Sequence, residues 1–392
     1  MNVLLRAYRA GNLGDDLMVD LVCRRYPHVR FFAYDFSDQQ GYRAPVPPNV
    51  WTFGSGSAWR ATAVRLGMRD AAEAACARNG GIDLDLTLGG SMFQQRRGWP
   101  VAAHRLRMAQ RRAAATAFVG CNFGPHSSRA YVRAHRRIFA RAAAVTLRDH
   151  ASCRLFADVA SVRYAADIVL NLDVEAIAPH RVPGRVIVSV IDSARRGDLS
   201  DVYERAIVRL GEALVIAGYR PLLMSFCRFE GDEQAVERIA AQASRGLFEA
   251  YRYRGNLAEA LAVIKGADGV VSTRLHAMIL AWRFGIPCYP LVYGEKIRRI
   301  LDDAPLPLGY GSCDLAGLDG FDPADAVAQI AEGRVVDVEQ LRISAQGHFA
   351  VLDGLLGASA ETALRKRGRG GGWECGEAGE RALGRDGCGD RP

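Results

Sequence analysis

The chain has 392 residues, 49% of them hydrophobic and 24% charged, with a formal net charge of +8. That length exceeds one ordinary core and points to two domains of roughly 150–200 residues. The composition is that of a globular protein, and no run of about 18 apolar residues offers a membrane span. The positive charge suits an anionic partner without choosing among a phosphorylated substrate, an anionic membrane and nucleic acid. Arg105, Arg107, Arg111 and Arg112 read as solvated helix faces. No aromatic signature interleaves with them to favour nucleic acid.

The first residues, Met-Asn-Val-Leu-Leu-Arg, read as a β-strand rather than a signal peptide. Nine scattered cysteines without a Cys-x-x-Cys pair read as free thiols of a reducing cytosol. No His/Cys cluster has zinc spacing, so no structural metal is expected.

In chain order, short apolar runs alternate with amphipathic stretches. Strands are predicted at Val3–Ala7, Val29–Tyr34, Leu84–Leu88, Ala115–Gly120 and Ala144–Leu147, with helices at Asp16–Arg25 and Arg129–Arg141. A second series has strands at Val186–Ile191, Pro221–Phe226, Gly269–Ser272 and Pro287–Leu291. Its helices fall at Ser200–Ala217, Asp232–Ala243 and Leu257–Lys265. Such alternation predicts an α/β protein with parallel sheets and right-handed crossovers. The Pro/Gly-containing segment Asn171–Gly184 is the linker candidate. The predicted units are a first Rossmann-like domain over 1–175 and a second over 185–350, facing each other across a cleft lined by strand carboxyl ends. From 358 to 392 a Gly/Arg/Glu-rich sequence without apolar periodicity reads as disordered, with Arg365–Arg369 as a possible phosphate or membrane contact.

Four constellations carry chemistry. Gly11-Asn12-Leu13-Gly14-Asp15-Asp16 follows the first strand and opens a helix, offering backbone N–H groups to an anion or sugar hydroxyl. Its glycine spacing is not that of a dinucleotide fingerprint. A tight turn capped by Asp15 or Asp16 is the competing reading. Gly89-Gly90-Ser91, and Gly120 through Pro125, end later strands where ligand loops lie; turns would look the same.

Arg148 ends a strand just before Asp149. Its planar fork suits a carboxylate or phosphate, or equally a salt bridge to Asp149 or Asp167. Ser272-Thr273-Arg274-Leu275-His276 joins a strand to a helix. It pairs an anion-binding guanidinium with a group that moves protons near neutral pH, and a satisfied structural histidine is the alternative. Lys296, after the following strand, adds a second cation or is a surface lysine.

Taken in order, Gly-Asn-x-Gly-Asp, Gly-Gly, Gly-Pro, Arg-Asp-x-x-Ser, Ser-x-Arg-x-His-Ala, Gly285-x-Pro287 and Tyr293-x-x-Lys296 resemble the polysaccharide pyruvyl transferase family across residues 2–305. The resemblance implies two Rossmann-like domains as in GT-B glycosyltransferases. It implies phosphoenolpyruvate as the donor co-substrate and a ketal pyruvate on a sugar of a cell-surface glycan, with the acceptor on the first domain and the donor on the second. It gives His276 and Arg274 as catalytic and donor-site residues, and Arg148, Lys296, Asn12 and Asp16 as substrate contacts. Gly90 and Ser272 join them from the loop and strand-end readings.

The expected protein is cytoplasmic, peripheral to the inner membrane face if its acceptor is lipid-linked. The runner-up is a GT-B glycosyltransferase using a nucleotide sugar, with Glu230 or Asp232 gripping the ribose. A glycan-binding protein without turnover is the third reading, and the intact Arg274/His276 pair argues against it.

Overall fold

The computed structural model describes residues 1–35, 46–54, 71–196 and 200–367. The first sheet is built from β1 (Asn2–Arg6), β2 (Arg30–Asp35), β3 (Val50–Gly54), β4 (Ile82–Leu88), β5 (Ala113–Cys121), β6 (Ala144–Leu147) and β7 (Val162–Tyr164). The order is β3-β2-β1-β4-β5-β6-β7, and every neighbouring pair is parallel. Its helices are α1 (Leu13–Arg25), α2 (Ala71–Arg78), α3 (Trp99–Arg112), α4 (Arg129–Phe139) and the short α5 (His150–Arg154).

The second sheet contains β8 (Arg185–Val190), β9 (Arg220–Ser225), β10 (Glu249–Arg252), β11 (Gly269–Ser272), β12 (Cys288–Val292) and β13 (Cys313–Asp314), in the order β10-β9-β8-β11-β12-β13. Around it lie α6 (Ser200–Ile216), α7 (Asp232–Gln242), α8 (Leu257–Lys265), α9 (Leu275–Arg283), α10 (Glu295–Asp303) and α11 (Pro323–Ala331). A last helix, α12, spans Glu339–Arg367.

The two parallel sheets, each covered by helices, are the pair of Rossmann-like domains predicted from the sequence. Strands β8, β11 and β12 are buried at every position, as strands covered on both faces must be. The strands without a sequence expectation, β3, β7, β10 and β13, all lie at or beside sheet edges, where burial is incomplete and the apolar signal weak.

The chain does not end on the second domain. Helix α12 crosses back to the first, so residues up to 350 do not form one unit with 185–331. The physical reason is a set of hydrogen bonds, those of His348 fully buried. His348 Nδ1 meets Thr146 Oγ1 at 2.7 Å and its Nε2 lies 2.7 Å from the Ala166 carbonyl. Asn171 Nδ2 donates to the Ala345 carbonyl at 3.0 Å, and the Tyr26 hydroxyl donates to Asp353 at 2.6 Å. The helix also runs through 358–367, which the sequence reading assigned to a disordered tail; residues 368–392 lie outside the described residues. Among the described residues seven cysteines are free and no helix is long and apolar enough to cross a membrane.

Candidate active site

The carboxyl ends of both sheets face one cleft, which encloses a cavity of about 730 Å³. The loop after β1 is stitched directly to the second domain. Leu13 N donates to the Phe226 carbonyl at 2.9 Å, and Arg228 N to the Gly11 carbonyl at 3.2 Å. Gly11 permits this with φ of 64°. Asn12 is the N-cap of α1, its side chain accepting from Gly14 N at 3.1 Å. Asn12 and Asp15 line the cavity, whereas Asp16 does not. Asp16 is fully buried and accepts from the Tyr253 hydroxyl at 2.9 Å, a bond between the domains. Its neighbour Asp15 faces the ligand space instead. Burial, with Asp16 and Glu230 nearby, pushes the Asp15 carboxyl up to about 7, against the pull of Arg148 and Lys296.

Arg148 rises from the end of β6 and is buried. One amino group donates to Asp167 at 2.7 Å and the other to Asn122 Oδ1 at 3.0 Å. The salt bridge to Asp167, one of the two alternatives in the sequence, is therefore present. Gly90 makes room for it: a Cβ there would lie 2.3 Å from the guanidinium. The adjoining Asp149 and Ser152 are structural. Asp149 caps α5 by accepting from Ser152 N at 2.6 Å, and Ser152 Oγ accepts from Phe123 N at 2.8 Å.

His276 comes from the second domain and is also buried. Its Nε2 lies 3.7 Å from Asp167 Oδ2, within ion-pair range but too far for a hydrogen bond, and has no hydrogen-bond partner. Asp167 thus stands between Arg148 and His276. Burial alone would raise its carboxyl, but these two neighbours hold it well below the ordinary range. Burial lowers the imidazole, which Asp167 opposes and Arg148 and Lys296 reinforce, so His276 is neutral at pH 7.

Arg274 lines the cavity but its fork is closed. Nε donates to Asp232 Oδ2 at 2.9 Å, one amino group also binds Asp232, and the other binds Glu230. The sequence reading gave this guanidinium a free fork for an anion. The structure instead spends it on two carboxylates of the loop after β9. Its backbone is fixed as well, with Arg274 N donating to Ser189 Oγ at 3.1 Å. Ser272 is buried in β11, its hydroxyl accepting from Cys288 Sγ at 3.4 Å, and does not reach the cavity. Lys296 does line it. Its ammonium lies 5.0 Å from the Tyr293 ring centroid and makes no ion pair among the described residues.

The cavity therefore brings together Asn12, Gly90, Arg148, Arg274, His276 and Lys296 of the sequence candidates, and leaves out Asp16 and Ser272. Asp15, Asn122 and the central role of Asp167 were missed. Helical spacing held one usable signal. In a helix starting at Leu13, residues 13, 16 and 17 share the buried face, which leaves Asp15 on another.

The sequence profile described as Polysaccharide pyruvyl transferase matches residues 12–295. No curated protein matches the chain. Among solved structures it is similar to a UDP-GlcNAc 2-epimerase from Methanocaldococcus jannaschii, at 10% identity, TM-score 0.52, covering 84% of this chain and 91% of that one. It is also similar to a putative UDP-N-acetylglucosamine 2-epimerase from Listeria monocytogenes (11% identity, TM-score 0.54, 93% and 96%). A third is the UDP-GlcNAc 2-epimerase from Neisseria meningitidis bound to UDP-GlcNAc (8%, 0.54, 91% and 100%). At these identities the likeness is one of fold: two Rossmann-like domains in the GT-B arrangement. With the family profile covering well over half of it, the chain belongs to the polysaccharide pyruvyl transferase family.

Proposed function

We propose that the protein transfers the pyruvyl group of phosphoenolpyruvate to two hydroxyls of a saccharide, forming a ketal and releasing inorganic phosphate. The observation that carries this reading is the shared cavity of Lys296, neutral His276 and Asp15, whose carboxyl titrates near neutrality. A compact anion needs a cation with an open contact, and Lys296 offers one, with Arg148 behind it. The donor needs no resident metal or cofactor in this scheme.

The roles follow from protonation state. Asp15, protonated below about pH 7, delivers a proton to the donor's methylene carbon, leaving an oxocarbenium at the carbon bearing the phosphate. A sugar hydroxyl adds there and gives its proton to the neutral imidazole of His276. The carbon–oxygen bond to phosphate then breaks, and the second hydroxyl closes the ketal. Of the two hydroxyl protons, one replaces that spent on the methyl group and one leaves with phosphate. The acceptor in this reading is a cell-surface glycan unit assembled at the cytoplasmic face of the membrane, with the protein peripheral to it.

The epimerase structure carrying UDP-GlcNAc favours a nucleotide-sugar reading. Against it, Glu230 and Asp232, the acids that would grip a ribose, both engage Arg274. The test is release of inorganic phosphate from phosphoenolpyruvate on adding a saccharide acceptor. Glycosyl transfer from a nucleotide sugar faster than that release overturns the proposal.

A further inference from the structure

Residues 86–148 hold twelve arginines and no aspartate, glutamate or lysine. Their charge of +12 exceeds the +8 of the whole chain, so the rest of the protein is net negative. The fold gathers much of this charge on one face. Helices α3 and α4 both lie in this stretch and carry no acid between them. They meet at their starts, where Trp99 packs edge-on against Tyr131 at 5.4 Å. On α4, Arg129, Arg133 and Arg137 recur every four residues and are exposed, a stripe of like charges that repel. On α3, Val101 and Arg105 share a face in the same way, and Val101 is 52% exposed. Arg112 pairs with Glu73 and Arg136 with Asp158, but Arg97, Arg105, Arg129, Arg133 and Arg137 make no ion pair among the described residues.

This face begins at the cavity. Gln94 and Arg96, just before α3, and Gly124 and Pro125, just before α4, are cavity-lining residues. Both helices therefore start at the cleft mouth.

We propose that the α3/α4 face docks the protein on an anionic lipid surface, with the cleft mouth against the bilayer. Uncompensated arginines supply the attraction to anionic headgroups. The exposed Val101, preceded by exposed Pro100, gives the face an apolar point that a headgroup region accommodates and a nucleic-acid backbone does not. No exposed aromatic residue stands on either helix to stack a base. The placement rests on the reading of a membrane-presented saccharide acceptor, and it explains how such an acceptor would reach the cavity. The net negative charge of the rest of the chain favours approach by this face.

The test is flotation of the full chain with vesicles of phosphatidylcholine alone or mixed with phosphatidylglycerol. Binding is expected only with the anionic lipid, and is expected to fall away at roughly 0.5 M salt. The variant R105Q/R129Q/R133Q should lose roughly 100-fold in vesicle affinity. A control with the same charge change at exposed positions of the second domain, R205Q/R209Q/R245Q, should not. Phosphate release with a water-soluble acceptor, measured in parallel, should be unchanged in both. Its absence in the wild type would sink the pyruvyl reading without touching vesicle binding. Equal loss in the two triple variants, binding to neutral vesicles at high salt, or binding to RNA in place of vesicles would overturn the docking face.

Discussion

The imidazole of His276 occupies the space that a side chain on Gly14 would fill. A Cβ at Gly14 would lie 1.7 Å from His276 Nδ1. The two residues belong to different domains, so the first turn of α1 forms one wall of the histidine's pocket. Gly14→Ala should gain up to about 1 kcal/mol of helix propensity, yet must displace the ring. The expected outcome is a fall in kcat of roughly 10²–10⁴-fold in a folded protein. Steady-state kinetics beside thermal unfolding checks it; near-normal kcat would remove His276 from the proton transfer.

Arg274 makes a different prediction from the one its motif suggests. Arg274→Ala leaves Asp232, which has no exposed surface, without its countercharge. Breaking such a buried pair costs roughly 3–5 kcal/mol. Asp232→Asn in the Arg274→Ala background should recover part of this. Urea unfolding of the single and double variants decides. An Arg274→Ala protein of full stability but weakened phosphoenolpyruvate binding would restore the free-fork reading.

Asp15 is expected to trade stability for activity. Its folded pKa, about 7, lies above the ordinary 3.8, so the folded state holds a proton that the unfolded chain releases between these values. Stability contributed by this group is full at low pH and lost as pH rises through 7, up to ~4 kcal/mol. Asp15→Asn should raise Tm at pH 8 while lowering kcat at every pH. In the wild type kcat should decline above about pH 7. A Tm at pH 8 lowered by the substitution would contradict the burial of this charge.

His348 couples acid sensitivity to the return of α12. Burial drives its pKa down to about 4 from 6.5, although the Ala166 carbonyl and Asp167 favour the proton. The unfolded chain therefore takes up the proton first. Stability is complete above pH 6.5 and falls by ~3 kcal/mol as pH drops to 4. His348→Gln should flatten this part of the stability–pH curve, at a constant cost from lost packing, and denaturant unfolding across pH 4–7 measures both.

The alternation of strands and helices and the loops at strand ends are legible in the sequence, because apolar periodicity and glycine placement are local properties. Strands β6 and β11 and helix α8 have the bounds that their apolar runs gave. It also gave Arg148, His276 and Lys296 as cavity residues, since residues just beyond the strand ends of such sheets face the cleft. The partner of each charge is fixed by packing across the two domains. Asp16 turns to Tyr253 in the other domain while Asp15 meets the cavity. Arg274 closes on Asp232, 42 positions away, and Arg148 shares Asp167 with His276. The return of α12 rests likewise on His348 finding Thr146 and Ala166. A buried charge is stabilised by whatever partners the packed fold brings near it, and sequence spacing does not encode that choice.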